Sequence, residues 1–352
     1  MTEAARDLAQ ARALLDVKRY SQAVSLLARM VAADPADSWV WCLLAAAHLG
    51  DGQYQEAAAS ASRAVMLAPS DDWPYRLVST AQGHLGNVSA AITAANEACK
   101  LAPNEWRAYL CLAQAQLGTQ VDFRAAERAA ANALRLAPDE PDAHFIAGKV
   151  SFARERWKAA RAHQERALAL DPAHSGALNE LGRIRLHRGG LVRAARHFIQ
   201  AAQSAPHVTA YGRNVEVVIR RVMALTITAT YLAGLALLYL TLITHVSRGA
   251  VVIGYTVVAA LSAGYAAVQL WRMPPEMRPL VRTRRVALAL GAVYSAILIA
   301  MITVAVTPAR ALSGALLAAT ALIFASAFVV RAMLRRKKGS TVGQTVTRDR
   351  AA

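Results

Sequence analysis

The chain has 352 residues, 55% of them hydrophobic, and a formal net charge of +17. Residues 1–206 hold 23 Lys and Arg against 20 Asp and Glu, whereas residues 207–352 hold 17 against 3. Because the first part has no strong basic excess and the basic residues of the second flank apolar stretches, we expect no nucleic-acid partner. Cys42, Cys99 and Cys111 show no C-x-x-C spacing, which predicts neither a disulfide framework nor a zinc site.

The first twenty residues are mixed in polarity and favour a helix. They lack the unbroken apolar core that a signal peptide requires. We therefore expect the amino terminus to stay in the cytoplasm.

Six prolines recur through the first part of the chain at intervals of 34 or 35 residues. They are Pro35, Pro69, Pro103, Pro138, Pro172 and Pro206. A fixed period of this length indicates a solenoid of stacked helical pairs. Proline lacks an N–H group and fixes its own φ, so each is expected to end the second helix of a unit.

Small residues recur at matching positions of these units. The first-helix series is Ala11, Ala45, Ser79, Ala113, Gly148 and Gly182, and the second-helix series is Ala23, Ala57, Ala91, Ala126, Ala160 and Ala194. Small side chains at such points let paired helices approach closely. Unit two shows the fullest pattern, with Trp41, Leu44, Ala45, Ala57, Ala61, Ala64 and Pro69.

This pattern resembles the tetratricopeptide repeat. The resemblance covers six units over about residues 4–206, and it implies a helical solenoid that binds other proteins. Asp7 replaces a large apolar residue in unit one, which suits an amino-terminal cap. Unit four has one extra residue in its turn, at 118–123, and residues 207–221 are predicted as a capping helix.

The resemblance also implies a concave groove lined by the first helices. The groove positions are predicted to be Trp39, Trp73, Arg76, His84, Arg107, Gln114, Phe145, Lys149, Phe152, Asn179 and Arg183. We expect the four cations to pair with acidic side chains or a carboxyl terminus, and the aromatic residues to provide apolar anchorage. The alternative is that these are solvated polar positions and aromatics packed between repeats. The Lys and Asn residues of the chaperone-binding carboxylate clamp are missing.

Four apolar stretches without charged residues follow, at about 222–243, 249–271, 286–306 and 311–330. Each is long enough to cross a hydrocarbon core of about 30 Å as a helix. Arg residues concentrate before the first stretch, between the second and third, and after the fourth. By the positive-inside rule, both termini and the repeat domain are predicted to be cytoplasmic. The tail, 336–352, is predicted to be disordered. The basic link and this tail are expected to attract anionic lipid head groups.

The sequence contains none of the common hydrolase, phosphate-binding or dinucleotide-binding motifs. The predicted four-span transmembrane domain, 222–335, holds no visible pair of nucleophile and base. Glu180 and Asp171 of the repeat domain are interpreted as solvated charges or caps. We therefore expect no enzyme activity, cofactor or metal.

Together these features predict an all-α protein, a six-repeat solenoid followed by a four-helix transmembrane bundle. The expected function is that of a bacterial multi-span scaffold in the inner or plasma membrane, which binds a cytosolic or peripheral protein or peptide in its groove. The alternative is an accessory or regulatory subunit of a membrane transport, secretion or envelope-synthesis complex, engaged through its spans. The sequence does not identify the partner.

Overall fold

The computed structural model describes residues 3–119 and 123–205, together with a few separate positions between 208 and 257. Over the continuous ranges the chain forms twelve α-helices and no strand. They are α1 (Glu3–Asp16), α2 (Tyr20–Ala33), α3 (Ser38–Asp51), α4 (Tyr54–Leu67), α5 (Asp72–His84), α6 (Val88–Leu101), α7 (Trp106–Leu117), α8 (Phe123–Leu136), α9 (Pro141–Ala153), α10 (Trp157–Leu170), α11 (Ser175–His187) and α12 (Leu191–Ser204). The predicted all-α repeat fold is confirmed for this part of the chain.

Local sequence explains where the first helix of several units begins. Asp37, Asp71 and Glu105 stand just before α3, α5 and α7, and their carboxylates accept hydrogen bonds of 2.9 to 3.2 Å from main-chain N–H groups. These bonds satisfy donors that have no partner within the helix. Gly52 and Gly86 follow α3 and α5 with φ of +79° and +83°, a conformation that favours glycine in the turn.

The second helices end where the prolines predict. After α4, for example, the N–H of Ala68 donates a 2.9 Å bond to the carbonyl of Ala64, and Pro69 follows. Unit four, with its extra residue, leaves a longer interval between α7 and α8, and residues 120–122 of that interval lie outside the described residues.

The small residues are the contact points of the helical pairs. Every residue of the second-helix alanine series is 0% exposed, and the first-helix series is buried throughout. Larger side chains, among them Leu27, Ile146 and Ile184, fill the spaces between units. A core built mainly from alanine brings backbones close together, so its stability depends on close packing rather than on large apolar side chains.

The chain divides into two compact units, which we call unit 1 (Met1–Ile184) and unit 2 (Arg185–Ala352). These two are numbered in figures and are distinct from the six repeat units, which are numbered in words. Unit 1 contains α1 to α10 and most of α11. In unit 2, α12 buries Ala194, Ala195 and Phe198, and residues 210–215 are helical. The domain boundary predicted at residue 206 stays a prediction.

The predicted transmembrane bundle and the tail at 336–352 lie outside the described residues, except for Ile253, Gly254 and Val257. Of the helices that the structure describes, none has the length and apolar character needed to cross a membrane.

Candidate peptide-binding groove

The odd-numbered helices of unit 1 form its inner layer. Besides packing within their own pairs, α5 contacts α7 and α7 contacts α9. Among α1 to α10, no two even-numbered helices pack as closely. The side chains that this layer presents are called the inner face below; they comprise Trp39, Trp73, Arg76, Arg107, Gln114, Phe145, Lys149, Phe152 and Arg183.

Aromatic side chains dominate the amino-terminal end of the inner face. The rings of Trp39 on α3 and Trp73 on α5 lie 4.5 Å apart, tilted by 57°. The guanidinium of Arg12 on α1 lies 5.5 Å from the Trp39 ring centre. Trp39 is nevertheless 43% exposed, so one face of a large aromatic side chain is open to a partner.

The next cation, Arg76, already has an acidic partner on its own helix. Its Nε donates a 2.6 Å bond to Asp72, four residues earlier, and the two side chains are only 17% and 18% exposed. Thr80, one turn further along α5, hydrogen-bonds the Arg76 carbonyl and lies 3.9 Å from the Cys111 sulfur of α7. The predicted groove cation Arg76 is thus largely neutralised within the protein.

Arg107 lies at the start of α7 and is more open. Its guanidinium lies 4.4 Å from the centre of the Trp106 ring. The carboxylate that caps α7, Glu105, is 3.4 Å away, and the Arg107 side chain is 54% exposed. A salt bridge with this exposure contributes little, so Arg107 can exchange Glu105 for another acidic group.

Lys149 on α9 connects two inner helices. Its ammonium donates a short hydrogen bond to Gln114 Oε1 of α7 and lies 5.4 Å from the Phe145 ring centre. Burial lowers the pKa of Lys149 below its usual 10.5; the charge of Glu180 opposes this change and that of Arg183 adds to it. Within the described residues, no carboxylate lies within 4.0 Å of this ammonium.

Arg183 lies on α11, at the repeat position that Lys149 occupies on α9. Its guanidinium lies 4.5 Å from the Phe152 ring centre, and Phe152 makes an edge contact with Trp157 at 5.0 Å. Arg183 Nη1 also donates bonds of 2.8 and 2.9 Å to the two carboxylate oxygens of Glu180. Glu180 is only 5% exposed, so its interpretation as a solvated charge is wrong. Its spacing from Arg183, three residues on one helix, was the signal available in the sequence.

Two other predicted groove residues are placed differently. His84 stacks on Tyr54 of the preceding α4, with ring centres 4.3 Å apart and planes within 2° of parallel. Burial lowers the pKa of His84, and the charge of Lys149 lowers it further. Asn179 lies half-buried on α11. His84 therefore packs against the second helix of the preceding repeat.

Sequence reasoning missed two polar residues behind the inner face. Gln164 of α10 is 0% exposed, and its Nε2 donates a 3.1 Å bond to the Phe145 carbonyl. His174 accepts a bond from the N–H of Ala177 at Nδ1 and therefore donates from Nε2 to Asp142, at 3.0 Å. Both residues support Phe145, since the His174 ring lies 5.0 Å from it.

The cysteines of unit 1 lie in its core or pack against it. Burial raises the pKa of Cys42 to about 12 and that of Cys99 to about 11, which keeps these thiols protonated at neutral pH. Within the part of the chain that the structure describes, no group of three His, Cys, Asp or Glu side chains is placed to hold a metal ion. Asp171, interpreted as a cap, accepts a bond from the N–H of Ala173 after α10.

Comparisons with known proteins agree with the repeat. Residues 14–77 and 118–175 match models described as tetratricopeptide repeat. The resemblance read from the sequence is confirmed for these two segments, and unit 1 folds as a tetratricopeptide-like helical solenoid. The sequence matches no curated protein.

Three solved structures show the range of similarity. The Cut9–Hcn1 hetero-tetramer of the APC/C is 18% identical with a TM-score of 0.50, over 61% of this chain and 42% of that one. A thermophilic TPR protein of Thermus thermophilus is 20% identical with a TM-score of 0.49, and the match covers 52% of this chain and 98% of that one. YrrB, a TPR protein described as having an unusual peptide-binding site, is 14% identical with a TM-score of 0.34, and the match covers 53% of this chain and 96% of that one. At these identities the likeness concerns the fold alone.

Proposed function

We propose that this protein is a membrane-anchored scaffold that binds an extended segment of a protein partner along its inner face. The observation that carries the proposal is a continuous series of side-chain contacts across successive odd-numbered helices. Trp39 contacts Trp73, Thr80 contacts Cys111, Gln114 contacts Lys149, and Phe152 contacts Arg183. Such a series offers aromatic anchors and cations at regular steps, as an extended peptide requires.

Membrane anchoring rests on the sequence of the second half. The four charge-free stretches and the clustering of Arg around them support a multi-pass protein with its repeats in the cytosol. Ile253 and Val257 are helical, lie four residues apart, and are 65% and 50% exposed. Exposed apolar side chains suit contact with lipid, and the basic link and tail suit anionic head groups.

A photo-crosslinking experiment on the full-length protein in cells tests groove binding. Benzoylphenylalanine replaces Trp39, which preserves an exposed aromatic group on the inner face. The matched control replaces Met66, which lies on α4 and is 71% exposed. We expect a discrete partner to crosslink from position 39 and not from position 66.

Equal crosslinking from both positions would contradict binding at the inner face. If neither position crosslinks while residues 207–352 alone co-purify with a membrane complex, the accessory-subunit function replaces the scaffold function. No enzymatic role is proposed.

A further inference from the structure

The cations of the inner face differ in how far the protein itself neutralises them. Arg76 forms a largely buried pair with Asp72, and Arg107 lies beside Glu105. Lys149 contacts the amide oxygen of Gln114 and the face of Phe145, neither of which carries a charge. An ammonium that has lost part of its hydration and contacts no carboxylate is a strong site for one.

Lys149 belongs to a small cluster, called here the Lys149 subsite, formed by Gln114, Phe145, Lys149, Phe152 and Arg183. The three members on α9 lie four and three residues apart, so they share one face of the helix. Ring contacts hold both cations, with Lys149 at 5.4 Å from Phe145 and Arg183 at 4.5 Å from Phe152. The cluster therefore presents two positive charges between two phenylalanine rings.

Nearby carboxylates leave this cluster with an excess of positive charge. Glu180 binds only Nη1 of Arg183, and within the described residues the other guanidinium nitrogens have no carboxylate partner. Glu180 is almost fully buried, and its negative charge also acts on Lys149, so one carboxylate offsets only part of the charge of two cations. Asp142, which His174 binds, lies seven residues before Lys149, about 10 Å along the helix axis, and repels an acidic ligand from that end.

We infer that the Lys149 subsite binds the carboxylate of an Asp or Glu side chain in an extended peptide, next to an aromatic or large aliphatic residue. The carboxylate bridges Lys149 and the unused nitrogens of Arg183, while the neighbouring side chain packs on Phe145 or Phe152. This inference rests on the proposed function, and it specifies which partners the inner face accepts.

The test uses random peptides displayed on phage and selected on the full-length protein. We expect the selected peptides to be enriched in Asp or Glu beside an aromatic or aliphatic residue. The best peptide and its amide counterpart, with Glu replaced by Gln, are then measured against the native protein and Lys149→Gln. Either single change should weaken binding about tenfold, and both together should weaken it no further.

Control variants separate the subsite from general charge effects. Lys149→Arg should keep most of the affinity, and Lys158→Gln, at an exposed position on α10, should change it less than about twofold. Far-ultraviolet circular dichroism establishes that each variant is folded.

The outcomes also separate this inference from the proposed function. Two results would overturn the subsite while leaving groove binding intact. One is that the selected peptides show no acidic enrichment, and the other is that Lys149→Gln weakens binding of the acidic peptide and of its amide counterpart equally. Groove binding itself would be overturned if no peptide is selected. It would also be overturned if neither Lys149→Gln nor Trp39→Ala changes the affinity of the selected peptides.

Discussion

The packing of α9 against α10 depends on a single glycine. A Cβ atom at Gly148 would lie 2.2 Å from Nε2 of Gln164 and 2.8 Å from its Cδ, and Gln164 is completely buried. Gln164 in turn holds the Phe145 carbonyl, one turn before Lys149. The small residue at this position therefore makes room for a buried amide that supports the inner face.

Gly148→Ala should lower the free energy of unfolding by about 1 to 3 kcal/mol, because the overpacked methyl group outweighs the better helix propensity of alanine. Urea unfolding of the full-length protein, followed by tryptophan fluorescence, measures this change. Gly83→Ala is the matched control, since its Cβ would meet nothing closer than 4.0 Å. That variant should gain up to about 1 kcal/mol, and equal effects of the two changes would contradict this account.

At the scale of the helix, capping decides where α3 begins. Asp37 Oδ1 accepts bonds of 2.9 and 3.2 Å from the N–H groups of Trp39 and Val40. The cap thus also fixes the main chain that carries the exposed Trp39. Loss of the cap exposes N–H donors that have no partner inside the helix.

Asp37→Ala should cost about 1 kcal/mol of stability, measured by urea unfolding, whereas Asp37→Asn should keep most of it, since asparagine is an equally good cap. If Asp37→Asn is as destabilising as Asp37→Ala, charge interaction with the helix rather than hydrogen bonding stabilises α3.

The pair α9 and α10 also contains two facing histidines. Nδ1 of His144 and Nδ1 of His163 lie 3.5 Å apart, and Nε2 of His144 contacts the Pro138 carbonyl at 2.9 Å. Burial lowers the pKa of His163 below its usual 6.5, and the neighbouring His144 lowers it further. In the folded protein, His163 therefore resists protonation that it accepts in the unfolded chain.

Between the lowered pKa of His163 and 6.5, the unfolded state binds more protons than the folded state, so stability increases with pH in this window. The free energy of unfolding should fall as the pH decreases from 7.5 through that window, and His163→Gln should reduce the slope. Urea unfolding at a series of pH values measures it, with pH 8 as the reference where the ring is neutral. An unchanged slope in the variant would show that His163 does not contribute.

For the whole molecule, the proposed membrane attachment makes a prediction about the orientation of the chain. The proposed orientation places the link at 244–248 outside and the carboxyl terminus in the cytosol. This arrangement puts the inner face of unit 1 within reach of cytosolic partners.

Single cysteines report this orientation directly. Ser247→Cys should react with a membrane-impermeant maleimide in intact cells, and Ser340→Cys should react only after lysis. The protein without either change is the control, since its own cysteines lie in the repeat domain. Labelling of Ser340→Cys in intact cells would reverse the orientation, and labelling of neither before lysis would contradict the membrane spans.

The sequence alone determined the helical pairs and their number in the first part of the chain. Helix ends, proline stops and small contact positions depend on local chemistry and on a regular period, so Ala57, Ala91 and Ala160 were assigned to buried contacts correctly. Only the tertiary structure decided which inner-face cations are neutralised, that Glu180 is buried, and that Gln164 occupies the space above Gly148. The physical reason is that a side chain's contacts are set by stacking between repeats. Lys149 and Gln114 are 35 residues apart, which is one repeat interval, so the repeat pattern places both in the groove but does not show that they hydrogen-bond each other.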